Sequence, residues 1–80
     1  MDMITAVRNR ILQLCGERDI SINKLATICA ISPSSIKNIL YGKSRNPKLQ
    51  TIKLICDGLE ITLGEFFSTS EFDSLEQEIQ

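Results

Sequence analysis

Apolar residues along this 80-residue chain recur at helical rather than strand spacing. Ile4, Val7, Ile11 and Leu14, with Cys15 alongside, mark one face and predict a first helix over residues 4–18. Gly16 falls near its end, and Arg8, Arg10 and Arg18 lie off the stripe, on what reads as a solvated face. Ser21 then offers an N-cap oxygen to a second, short helix with Ile22, Leu25, Ala26 and Cys29 inward, ending near residue 30. Ile31 turns back to the core. Ser32 and Pro33 restart the chain as a third helix, since Ser accepts an orphan N–H and Pro suits the first helical position.

The third helix, residues 33–41, buries Ile36, Ile39 and Leu40 and leaves Ser34, Lys37, Asn38 and Tyr41 together on the other side. Gly42 stops it, and the stretch KSRNPK that follows is a loop in which Asn46-Pro47 disfavours helix until about Lys48. Leu49, Ile52, Ile55, Cys56 and Leu59 define the inner face of a fourth helix, with Gly58 near its end. Thr62 caps a short fifth helix, LGEFF, whose Leu63, Phe66 and Phe67 point inward. In the remaining tail, Phe72, Leu75 and Ile79 recur at helical spacing with acidic residues behind them. That stripe suits one more short amphipathic helix, which either packs on its own domain or offers an apolar edge to a partner subunit.

Length and composition narrow the function. Eighty residues allow one small domain. No run of ~18 apolar residues exists, and MDMITAVRNR lacks the regions of a signal peptide, so the expected location is the cytoplasm with no membrane association. Cys15, Cys29 and Cys56 are odd in number and widely spaced, which fits neither a disulfide framework nor paired zinc ligands; free thiols on apolar faces are expected. The chain has no histidine, which removes the commonest general base and metal ligand. Ser35 or Cys29 as a nucleophile would lack its base, so an enzyme is not expected, nor is a metal or other cofactor.

Charge changes the picture through its distribution. The net charge is only −1, yet between residues 20 and 56 every charged residue is positive: Lys24, Lys37, Lys43, Arg45, Lys48 and Lys53. From Asp57 onward every charge is negative. The molecule is polarised into a basic half and an acidic end.

Over about residues 4–67 the chain resembles the phage-repressor and Cro-like (XRE-type) helix-turn-helix DNA-binding domains. The resemblance rests on the cap at Ser21, the Leu25-Ala26 pair, the Ala30-Ile31-Ser32 turn, Ile36 and Ile39 with Gly42, and the segment KSRNPKLQTIKLICDGLEITLGEFF. It implies an all-α, compact five-helix lambda-repressor-like domain over residues 1–67, with residues 68–80 as an acidic C-terminal tail. Three positions depart from the family pattern: Ala30 and Glu60 stand where glycine is common, and Ile22 replaces a glutamine that reaches a phosphate, leaving Asn23 as the nearest substitute.

What the resemblance implies for function is a transcriptional repressor that binds double-stranded DNA sequence-specifically, with its third helix in the major groove. Pro33, Ser34, Lys37 and Asn38 are the expected base contacts. Asn23, Ser32, Ser35, Tyr41, Lys43, Arg45, Asn46 and Lys48 are the expected phosphate contacts. A homodimer reading a pseudo-palindromic operator is expected, with Phe66, Phe67, Phe72, Leu75 and Ile79 as its interface. The alternative is a protein-interaction module of the same fold, of antitoxin or anti-repressor type, working through the acidic tail.

Overall fold

The computed structural model describes residues 1–43 and 45–79; Ser44 of the expected loop and Gln80 at the end of the expected tail lie outside the described residues. Every regular element among those residues is helical: α1 Met3–Arg18, α2 Ile22–Cys29, α3 Pro33–Tyr41, α4 Leu49–Gly58, α5 Leu63–Phe67 and α6 Ser70–Asp73. Side chains set most of the starts. Asp2 accepts from the Thr5 amide, Ser21 from Lys24 and Ser32 from Ser35, with Pro33 opening α3. Thr62 and Glu65 form a reciprocal capping box on α5, each side chain accepting the other's backbone N–H at 3.0 Å.

α1, α2 and α4 end in the same way. Asp19, Ala30 and Glu60 follow them in the left-handed region, at φ 53°, 55° and 58°. The next residue, in each case isoleucine, donates its N–H back five residues: Ile20 to Cys15 at 3.0 Å, Ile31 to Ala26 at 3.0 Å and Ile61 to Cys56 at 2.9 Å. These are Schellman closures, which satisfy orphan carbonyls at the helix end. All three isoleucines then pack against the core, so each closure reverses the chain and returns an apolar side chain inward. The departures from glycine at residues 30 and 60 leave the motif intact, with the steric cost of an L-residue at positive φ.

The core is one cluster drawn from α1 (Ile4, Val7, Ile11, Leu14, Cys15), α2 (Leu25, Ala26, Cys29), α3 (Ile36, Ile39, Leu40), α4 (Ile52, Ile55, Cys56), Leu59 and Phe66. α2 crosses α4 closely. A Cβ on Gly58 would stand 2.5 Å from Cys29 Sγ and 3.0 Å from Cys29 Cα, so a glycine is needed there for space. Phe66, Phe67 and Phe72 stack edge to face or tilted, with centroids 4.8 to 6.2 Å apart, which seats α6 against the domain beside α1.

Several expectations are corrected. Leu49 is 81% exposed at the first position of α4, and Ile52, three residues on, is the first of that helix to reach the core. Leu63 is also exposed, leaving Phe66 as the buried anchor of α5. The tail helix stops at Asp73, and Ile79 lies outside any helix at 88% exposure, since no side chain continues the apolar stripe onto the core beyond half-buried Leu75. Arg8 and Arg10 are only partly open to solvent, because both guanidinium groups hold other elements.

Candidate nucleic-acid interface

α3 is a nine-residue helix with one face closed and one open. Ile36, Ile39 and Leu40 are buried, while Pro33, Ser34, Ser35, Lys37, Asn38 and Tyr41 are exposed. Tyr41, 70% exposed, ends that face with a ring and a hydroxyl in solvent. The turn before it is built from Ser32, whose Oγ accepts the Ser35 N–H at 3.3 Å and shares hydrogen bonds with the hydroxyls of Ser34 at 3.2 Å and Ser35 at 2.8 Å. Three hydroxyls and a helix N-terminus therefore converge at one end of the face, a group of donors suited to an anionic oxygen.

Beside α3 runs an open groove of about 300 Å³ lined by Ser35, Asn38, Ile39, Asn46, Pro47, Lys48 and Thr51. It brings together four of the residues singled out in the sequence: Ser35, Asn38, Asn46 and Lys48. Pro47 and Thr51 were not singled out. Thr51 sits in the first turn of α4, where its spacing reads as an ordinary helix surface, and only the placement of that turn against α3 brings it to the groove. Lys48 precedes α4 as its N-cap residue without a side-chain cap bond, so a helix N-terminus with its partial positive charge adjoins the groove that Lys48 lines.

The remaining cations are spread along the rim. Lys43 and Lys37 are exposed. Arg45 projects away from the groove and makes an ion pair with Asp2, although both side chains stay partly open to solvent. Asp2 is held below its ordinary value of 3.8, first by hydrogen bonds from the Thr5 hydroxyl and amide and then by the nearby Arg45 charge. Asn23 is exposed on α2, and its carbonyl accepts from the Thr27 hydroxyl at 3.1 Å. It stands on the helix before the turn, which is the position a backbone-crossing helix takes in this motif.

The far end of α3 is held from outside. Arg8 on α1 donates from Nε to the Ile39 carbonyl at 2.7 Å and from Nη2 to the Gly42 carbonyl at 2.9 Å. Arg10 makes the matching clamp on α5, donating to the carbonyls of Phe66 and Glu65 at 2.7 Å each, with its guanidinium 6.0 Å from the Phe66 ring. Nothing in the local pattern announces either clamp, because the partners are 31 to 56 residues away.

The residues expected at a subunit interface divide. Phe66 is 0% exposed and belongs to the core, so it is not available to a partner; Phe67 and Phe72 are half-buried and stack on it and on each other. Leu75 is half-buried and Ile79 exposed. The three thiols are buried, and burial pushes each above its ordinary value; at Cys56 the nearby Lys53 and Arg10 charges act in the opposite direction without overcoming it. Among the described residues no cluster has the makings of a metal site, and no helix is long and apolar enough to cross a membrane.

Comparison with known proteins agrees with this arrangement. A family model described as the Cro/C1-type HTH DNA-binding domain matches residues 10–71. The crystal structure of prophage Lp1 protein 11 is similar in fold, with a TM-score of 0.80 over 92% of this chain and 97% of that one, at 23% sequence identity. No curated protein matches.

Proposed function

The chain belongs to the Cro/C1-type helix-turn-helix DNA-binding domain family, and on that premise we propose that it is a sequence-specific transcriptional repressor that lays α3 in the major groove of double-stranded DNA. The observation that carries the reading is the open face of α3, with Ser34, Lys37 and Asn38 exposed one turn apart beside a groove rimmed by Asn46 and Lys48. An Asn reads adenine bidentately, a Lys donates to guanine O6 and N7, and Ser serves either, while Pro33 offers apolar contact to a thymine methyl. Asn23, Ser32, Ser35, Tyr41, Lys43, Asn46 and Lys48 supply the backbone contacts, which fix register and most of the affinity. Arg45 joins them by exchanging Asp2 for a phosphate.

One such domain reaches few bases, so a homodimer on a pseudo-palindrome with half-sites about one helical turn apart completes the reading. With Phe66 in the core, the second copy is left to the exposed end of the tail, Leu75 and Ile79. The acidic residues from Asp57 onward favour placing that end away from the DNA.

Selection of bound sites from randomised duplexes tests the proposal. A recovered palindrome of two half-sites is expected, and Asn38→Ala should relax one base position at a cost of ~1–3 kcal/mol, whereas Lys48→Ala should weaken all sequences alike and reduce the salt slope by about one. Recovery of no consensus, or uniform losses from both variants, would overturn the assignment of α3.

A further inference from the structure

We propose that Arg8 is a positioning residue for sequence recognition: its guanidinium, anchored on α1, fixes the tilt at which α3 presents Ser34, Lys37 and Asn38. The inference rests on the reading of α3 as the base-reading helix and adds a residue that touches no DNA in it.

Geometry carries the argument. The extensive helix contact of α3 is with α2, through the turn that joins them, so its first turn is well placed by Ser32 and its neighbours. Its last turn leads directly into the loop before α4. A nine-residue helix is ~13 Å long, so a tilt of ~10° about one end moves the other by about 2 Å. That displacement exceeds the ~0.5 Å within which a binding constellation works. The buried side chains of Ile36, Ile39 and Leu40 oppose such a tilt, but apolar contact is non-directional.

Arg8 supplies direction. It is half-buried, and its planar fork grips the carbonyl oxygens of Ile39 and Gly42, three residues apart, at 2.7 and 2.9 Å. The oxygens are at the negative end of the α3 dipole, which strengthens the attraction for a cation. Both donors hold only one helix orientation. The adjoining Val7 and Ile11 are locked in the core, so the grip is transmitted to the body of the domain.

Arg10 is a built-in control. It makes a similar two-carbonyl grip from the same helix, but on α5, which has no part in the proposed groove. A purely stabilising role predicts that loss of either arginine has one kind of effect; a positioning role predicts two.

The test uses full-length chains of wild type, Arg8→Met, Arg8→Lys and Arg10→Met, each below its unfolding transition as followed by circular dichroism. Affinity is measured for a duplex recovered by selection with the wild type and for a scrambled duplex of equal length, over a range of salt. Arg10→Met should lower the unfolding midpoint and keep the ratio of the two affinities. Arg8→Met should lower that ratio by about five- to a hundred-fold, the span of one good bidentate base contact, with binding to the scrambled duplex and its salt slope retained. Arg8→Lys, which keeps the charge but donates to one carbonyl at a time, should fall between; it carries the comparison alone if Arg8→Met does not fold. Equal weakening on both duplexes with a shallower salt slope would make Arg8 a phosphate contact and overturn the proposal, as would an unchanged ratio. A wild type that prefers neither duplex would instead remove the reading of α3 on which the proposal stands.

Discussion

The side-chain oxygen of Asn38 occupies the space a Cβ on Gly42 would need: an added carbon would stand 2.2 Å from Asn38 Oδ1 and 2.4 Å from the Asn38 carbonyl oxygen. Gly42 has φ −80°, a backbone open to any residue, so it is the close approach that demands glycine. The Gly42 amide also donates to that same carbonyl at 2.9 Å and closes α3. Gly42→Ala must therefore move the end of the helix and the Asn38 side chain together. A loss of ~1–3 kcal/mol is expected from overpacking, with relaxed preference at the base Asn38 reads. Urea denaturation and a repeat of site selection check it; unaltered stability with an unaltered consensus would contradict the contact.

Ala30 and Glu60 hold left-handed backbone at φ 55° and 58° without being glycine. Replacing an L-residue there relieves ~1–2 kcal/mol of local strain, offset by ~0.5–1 kcal/mol of extra freedom in the unfolded chain. Ala30→Gly and Glu60→Gly should each stabilise by roughly 0.5–1 kcal/mol. A thermal midpoint that rises by a few degrees in each variant is the expected result, on the order of 4–8 °C per kcal/mol at this size. A fall would show that the side chain at that position contributes contacts of its own.

Asp2 links the start of α1 to pH. Its carboxyl is depressed below 3.8 when folded, so the native state binds its proton less tightly than the unfolded chain does. The stability it contributes is fully present above the unfolded value and is lost as pH falls through the folded one. Asp2→Asn keeps a cap acceptor for the Thr5 amide and removes the charge that faces Arg45. The variant should lose less stability than wild type between about pH 5 and pH 2 in urea midpoints. Parallel curves for the two chains would mean that the capping charge is idle.

The thiols of Cys15, Cys29 and Cys56 are closed into the core and raised by burial. A thiol-reactive chromophore at neutral pH should label none of them at once in the native chain and all three in urea, at a rate that tracks unfolding. Rapid labelling of the native chain would place at least one sulfur at the surface.

The helix-turn-helix and its flanking helices were legible because each depends on neighbours three or four residues apart. Caps at Ser21, Ser32 and Thr62, the inner faces of α1 to α3 and the exposed face of Ser34, Lys37, Asn38 and Tyr41 all follow from such spacing, and the structure reproduces them. The readings that failed share a different cause. Leu49 fits the apolar spacing of α4, but a stripe says which face points inward without saying where the core ends. Phe66 fits both the inward spacing of the fifth helix and the expected subunit interface, and packing with Phe67, Phe72 and Arg10 gives it to the core alone.

By itself, then, the sequence determined the helices, their order, the polarised charge and the side chains offered on α3. Those are local properties, set by periodicity, capping and composition along the chain. Only the tertiary structure decided that Arg8 and Arg10 grip α3 and α5, that Thr51 and Pro47 join the groove, and that Arg45 faces Asp2. Each of these depends on a partner brought near by the fold, and no spacing rule reaches across such a distance.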